Sequence, residues 1–232
     1  MKLLRSLMRR VLRPWALGLL GLVLGLQVFF WGRIASMAFI DPMSSAFERT
    51  EMTRLMSDHT PLKWQQQWVT LDRISVHLQR AVIASEDDLF TQHHGVHWDA
   101  LEKAWQRNER SMAMAQRKGR NAHLVGGSTI TQQLAKNLFL SGERTLLRKG
   151  QEMALTFMLE GTLNKRRILE IYLNHVEWGQ GVFGAQAAAR HYFGKNASEL
   201  SEWEAARLAV MLPRPKWFEL HPDSPYWADR TE

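Results

Sequence analysis

Two glutamates and a scattered set of lysines and arginines are the residues of this chain best suited to chemistry. Glu86 opens the run Glu86-Asp87-Asp88-Leu89-Phe90-Thr91-Gln92-His93-His94-Gly95, and Glu152 closes Arg148-Lys149-Gly150-Gln151-Glu152. Between them lies Gly127-Ser128-Thr129-Ile130-Thr131-Gln132-Gln133-Leu134-Ala135-Lys136-Asn137, and after them Lys165-Arg166-Arg167-Ile168-Leu169-Glu170-Ile171-Tyr172-Leu173-Asn174. Glu86 follows Val82 and Ile83 at helical spacing, so its carboxylate shares an apolar face. An acid there is pushed towards a raised pKa, which suits a general base near neutral pH. By position alone, though, it reads first as a helix-end acid in water. Arg148 and Glu152, four residues apart, are on their own a surface ion pair worth roughly 0.3–0.5 kcal/mol. If Lys136, Arg148, Lys149 and Lys165 converge, they would form a cationic pocket for a pyrophosphate beside both carboxylates; spacing does not prove that they do.

The elements that must position these residues are mostly helical. Ser128-Thr129 reads as a helix N-cap, with Gln132 completing a capping box from Thr129. Free backbone N–H groups at such a start are also an anion-binding feature. Gln133, Lys136 and Asn137 follow one turn on and present three donors on neighbouring faces. His93, His94 and His97 invite a metal reading, but Gly95 interrupts the helix that paired ligation by His93 and His97 needs, and no cysteine helps. Hydrogen bonding is the better role.

Apolar periodicity predicts helices over Met43–Met56, Val76–Leu89, Ser128–Leu140, Thr145–Leu163, Lys165–His175 and residues 185–192. A further helix reaches Met211 from a cap at Ser198 or Ser201, and Asp72 or Ser75 caps the one starting at Val76. His59-Thr60-Pro61 reads as a turn, Gly179–Gly184 as a glycine-rich loop, and Pro213, Pro215, Pro222 and Pro225 as the end of regular structure. The basic stretch 102–123, with Lys103, Arg107, Arg110, Arg117, Lys118 and Arg120, reads as a solvated loop or a contact with membrane headgroups. Period-two runs are few and repeats absent.

The net charge of +7 is local. Lys2, Arg5, Arg9, Arg10, Arg13 and Arg33 give the first forty residues +6 with no acid, leaving +1 for the rest. A nucleic-acid-binding domain is therefore not indicated. Pro14 to Gly32 carries no charge; its nineteen residues rise about 28 Å as a helix, close to the hydrocarbon thickness of a bilayer. Gln27 is its one clearly polar group. Five basic residues precede it, which keeps the tail in the cytoplasm and puts the remainder outside. A cleaved signal peptide fits worse, because the apolar run is long and Arg33 separates it from small Ser36 and Ala38.

Taken in order, the four stretches resemble the peptidoglycan glycosyltransferase family, which comprises monofunctional transglycosylases and the glycosyltransferase domain of bifunctional penicillin-binding proteins. The likeness runs from about Trp68 to Pro213 and takes in Gly181 through Tyr192-Phe193-Gly194-Lys195. The single anchor resembles the monofunctional members. The resemblance implies a lysozyme-like helical domain over residues 67–232, beyond a basic cytoplasmic tail (1–13), a transmembrane anchor (14–36) and a membrane-proximal segment (37–66). It implies Glu86 as the base that deprotonates the acceptor sugar 4-hydroxyl, and Glu152 as a second essential carboxylate at the donor pyrophosphate, acting directly or through a divalent cation (Mg or Mn), with no organic cofactor. Lys136, Arg148, Lys149 and Lys165 match positions that hold the pyrophosphate. Ser128, Thr129, Gln133 and Asn137 match polar cleft residues, and Asp87, Phe90 and His93 shape the first motif. The implied partners are lipid II, the growing glycan on undecaprenyl pyrophosphate, membrane lipid and other cell-wall synthesis proteins. The nearest rivals are a lytic enzyme of the same fold, which would not need the cationic set, and an inactive scaffold. Arg214 and Lys216-Trp217-Phe218 depart from the family's wording after Pro213, and family members continue into another helix beyond the position of Glu232.

Overall fold

The computed structural model describes residues 2–57, 64–118, 127–140, 142–143 and 145–221. The turn expected at His59–Pro61, Pro222 and Pro225 lie outside the described residues. Helix α1 (Lys2–Ser36) leads into α2 (Ala46–Ser57), α3 (Val76–Glu86), α4 (Trp98–Lys118), α5 (Ile130–Phe139), α6 (Leu146–Thr162), α7 (Lys165–His175), α8 (Ala185–Phe193), α9 (Glu202–Met211) and α10 (Pro215–Leu220). A small sheet of order β1-β3-β2 joins Gln65–Gln66 (β1), Glu177–Gly179 (β2) and Val182–Phe183 (β3). The expected glycine-rich loop is thus the β2–β3 hairpin, with Gly181 at φ 72° in its turn.

Helix α7 runs through the centre. Ile168, Ile171, Tyr172 and Leu173 are buried in it, against α5 through Ile130, Leu134 and Leu138, and α6 adds Leu155 and Leu159. Each such side chain contributes about 1.5–3 kcal/mol on leaving water. Asn174 ties α7 to the segment before α3, accepting from Val69 N and donating to Val69 O, both at 2.9 Å. On the other side α3 packs on α9. Ser75, not Asp72, caps α3, and Ser201, not Ser198, caps α9 in a capping box with Glu204.

Two expectations are corrected. The basic stretch from residue 102 is not a loop but most of α4, which runs to Lys118; residues 119–123 lie outside the described residues. Ala, Glu, Lys, Arg, Met and Gln are strong helix formers, and pairs four apart support them: Trp105 donates to Glu109 at 2.9 Å and Gln106 to Glu102 at 3.2 Å. High polarity hid a helix whose apolar stripe (Trp98, Leu101, Trp105, Met112) is sparse. Pro215 does not end structure either. It opens α10, where the fixed φ and missing N–H of proline suit a first helical turn.

Helix α1 contains the one span, Leu12–Ser36, that is long and apolar enough among the described residues to cross a membrane, and it fits a single-pass anchor. Its final turns join the domain: Ile34 is fully buried, Met37 nearly so, and Phe30 meets Phe139 edge-on with centroids 5.5 Å apart.

The departure at Lys216 has a structural role. Its ammonium lies 2.8 Å from Glu51 Oε1 and 3.0 Å from Glu177 Oε1, linking α10 to α2 and β2. Burial pushes the Glu177 carboxyl up to about 7, outweighing the lowering by Lys216, whereas the Arg54 hydrogen bond holds Glu51 below its ordinary value. The raised Glu177 therefore gives stability that is full below the ordinary glutamate range and is lost as pH rises through about 7. Glu177→Gln should flatten this slope and raise thermal stability at pH 8, by at most about 3 kcal/mol at 1.36 kcal/mol per pH unit. A melting curve at pH 8 no higher than that of the parent would contradict it.

Candidate active site

The first motif is locked onto the start of α5. Asp87 is buried and its Oδ2 accepts Ile130 N at 3.0 Å, while Oδ1 faces His93 Nε2 at 2.7 Å. His93 Nδ1 accepts the Gly95 amide at 3.1 Å, so the ring's N–H is Nε2, donated to Asp87. Thr129 caps α5 with Gln132 as its capping-box partner, and donates its hydroxyl to Gly95 O at 2.6 Å. Gly95 has φ 91°, and a Cβ there would lie 2.8 Å from Thr156 Cγ2 and 2.9 Å from Glu160 Cγ, so only glycine fits. The anion expected at this helix start is the chain's own Asp87.

This lock presents Glu86 at the last residue of α3, facing α5. Gln133 Nε2 donates to Glu86 Oε2 at 2.7 Å, and Gln133 Oε1 accepts the Tyr172 hydroxyl at 3.1 Å. The buried tyrosine thereby orients the amide, and the amide orients the carboxylate. Glu86 Oε1 has no hydrogen bond from any described residue. Burial pushes the Glu86 carboxyl above its ordinary range, more than Gln133 and Lys136 lower it. Burial and the charges of Glu86 and Asp87 push Tyr172 up as well, so it stays a donor.

Beside them lies the cationic cluster. On α6, Glu152 is buried; Oε2 accepts Arg148 Nη1 at 3.0 Å and Oε1 pairs with the Lys149 ammonium. Arg148 Nε is buried without a hydrogen-bond partner among the described residues. Lys136 of α5 has no carboxylate within ion-pair distance among the described residues. Burial pulls its pKa down against the pull of Glu152 and Glu86, with Arg148 and Lys149 adding to the fall. Lys165 sits elsewhere in the network: its Nζ is 2.8 Å from Glu160 Oε1 and 4.5 Å from the centre of the Phe90 ring. Asn137 is buried on α5 and Ser128 exposed before it, neither with a side-chain hydrogen bond among the described residues.

A family model described as Transglycosylase matches residues 53–232. Curated relatives named biosynthetic peptidoglycan transglycosylase, from Burkholderia orbicola and Burkholderia lata, are each 51% identical over 211 residues, covering 91% of this chain and 82% of theirs. One from Burkholderia multivorans is 51% identical over 208 residues. The chain belongs to the transglycosylase family.

This transglycosylase has the lysozyme-like helical fold of its family. Within it Glu86, Gln133, Lys136, Arg148, Lys149 and Glu152 form one electrostatically coupled group across α3, α5 and α6. Thr129, Asp87 and His93 are spent on holding that group. Glu160 and Thr131 escaped sequence reasoning: Thr131 Oγ1 donates to the Glu160 oxygen that pairs with Lys165, at 2.6 Å. The signal was available, because Glu152, Thr156 and Glu160 recur every four residues on α6. Tyr172, too, hid among the apolar residues of α7. The transglycosylase offers no ready seat for a divalent cation at Glu152. Both of its oxygens are engaged by cations, and no group of three His, Cys, Asp or Glu able to hold a metal occurs among the described residues.

Proposed function

We propose that this transglycosylase polymerises lipid II into β-1,4-linked glycan on the outer face of the cytoplasmic membrane, releasing undecaprenyl pyrophosphate with inversion at the anomeric carbon. That the chain is a peptidoglycan glycosyltransferase follows from the family match and from relatives half-identical over nine-tenths of its length. Glu86 Oε1 takes the proton of the acceptor 4-hydroxyl, whose oxygen attacks the anomeric carbon of the donor glycan. The bond from that carbon to the pyrophosphate oxygen breaks, and the electron pair leaves with the pyrophosphate. Lys136, Arg148 and Lys149 stabilise the departing charge, so no strong general acid is needed. Glu152 holds Arg148 and Lys149 at the donor, and no step is derived through a metal.

The observation that carries this reading is the pairing of opposites: a half-buried carboxylate with raised pKa and one oxygen unbonded by any described residue, beside an ammonium with no partner carboxylate among the described residues. Neither is a stable arrangement for its own sake. Orientation rests on the five basic residues from Lys2 to Arg13 at the start of α1. Purified full-length protein in phospholipid vesicles should convert lipid II to polymer, and a reporter active only in the cytoplasm should stay silent when fused after Glu232. Intact lipid II after prolonged incubation, or a bright reporter, would count against the proposal.

A further inference from the structure

The one clearly polar group of the uncharged run Pro14–Gly32 has a partner. Gln27 Nε2 donates to Gln151 Oε1 at 2.9 Å, and Gln151 Nε2 donates back to Gln27 Oε1 at 3.1 Å. Gln27, Phe30 and Ile34, with Met37 just beyond the helix, form one half-covered or buried stripe at helical spacing, while from Leu12 to Phe29 every residue but Gln27 is exposed. Helix α6, against which α1 packs, carries Arg148, Lys149 and Glu152 within the same turn as Gln151.

Around that contact the anchor is stitched to the other helices of the site. Phe30 and Arg33 hold Phe139 at the end of α5, the guanidinium 5.2 Å from the ring centre. Arg167 of α7 donates to Met37 O at 2.7 Å and to Ile40 O at 3.2 Å, and pairs with Asp41 at 2.7 Å. Aliphatic packing between helices is non-directional and tolerates sliding. A reciprocal amide pair forms at one register only, and in an apolar surround each amide depends on the other. A slip of one helical turn would move the cationic cluster by about 5.4 Å, more than a phosphate group can follow. Gln27 also lies six residues before Arg33, about 9 Å along the helix.

We infer that Gln27 and Gln151 are a positioning pair, fixing the height of α6 against the anchor so that Arg148, Lys149 and Lys136 meet a lipid-linked pyrophosphate at its depth in the bilayer. The inference rests on the membrane reading given under the proposed function. The test measures initial polymerisation rates of the full chain against lipid II concentration, in phospholipid vesicles and in detergent micelles. In vesicles Gln27→Leu and Gln151→Leu should each lower kcat by about 10–100-fold, the scale of a small misplacement at a reacting centre. In micelles, where no fixed bilayer plane sets depth, the loss should shrink to within about threefold. The double leucine variant leaves no amide orphaned, so it should melt like the parent yet remain slow in vesicles. Equal rates in vesicles, an equal loss in both media, or a double variant as fast as the parent would overturn the pair's role. Because the chain has no cysteine, Gln27→Cys with Gln151→Cys gives a clean cross-link by a short bis-thiol reagent in membranes. The linked protein should polymerise in vesicles, and failure to link would overturn the inference. Absence of polymer from the parent protein would instead sink the functional reading, while the cross-link still reports on the pair.

Discussion

Glu86→Gln should reduce polymer formation from lipid II by about 10²–10⁴-fold, the usual contribution of a positioned general base. The substitution keeps shape and volume, and the Gln133 amide retains an oxygen to donate to. What it removes is the oxygen that accepts a proton. Since burial already disfavours the charged form of Glu86, a neutral amide should leave the melting temperature unchanged or slightly raised. In the parent enzyme the acid limb of kcat against pH should lie above the ordinary glutamate range, because the base works only when deprotonated. Gln133→Leu should act through the same carboxylate, releasing both Glu86 and Tyr172, with a smaller fall in rate. Initial rates for the two variants, beside circular dichroism melts, decide the matter. If Glu86→Gln turns over near the parent rate, the base is another group and the mechanism fails, whatever the family.

The helices were legible because their signals are local. Thr129 with Gln132, Thr145, Asn164 and Ser201 cap the helices that spacing predicts, and α7 has the predicted bounds. The candidate residues were legible by motif, but which of them meet was not. Lys165 reads like Lys136 in sequence, yet its ammonium is claimed by Glu160, a residue five positions away across the α6–α7 turn. Thr129 reads as a cleft hydroxyl, yet a backbone carbonyl thirty-four residues away accepts its hydrogen bond. Gln27 reads as a tolerated polar residue in lipid, and its partner lies 124 residues on. Each is a partnership across a turn or between distant segments, and one-dimensional periodicity has no term for it. The basic stretch of α4 differs: its composition argues helix, but polarity without a broad apolar face reads as a loop.

That difference between Lys136 and Lys165 gives the second large effect. Lys136→Ala should lower kcat/KM for lipid II by an amount equivalent to about 2–5 kcal/mol, the range for truncating one member of a desolvated charge pair, here with a phosphate as the other member. At about 1.4 kcal/mol per factor of ten, that is roughly 30- to 4,000-fold. The stability outcome separates function from structure. Lys136 has no carboxylate partner among the described residues and is partly desolvated, so its removal strands no buried anion and should not lower the melting temperature. Arg148→Ala should slow turnover too, but it leaves buried Glu152 with Lys149 alone and should melt earlier. Lys165→Ala strands Glu160, whose carboxylate keeps only the Thr131 hydroxyl among the described residues, so its loss should show chiefly as instability. Rates and melts on the three alanine variants therefore sort into three patterns. A Lys136→Ala enzyme within about fivefold of the parent would match a rim salt bridge and remove this residue from the pyrophosphate site.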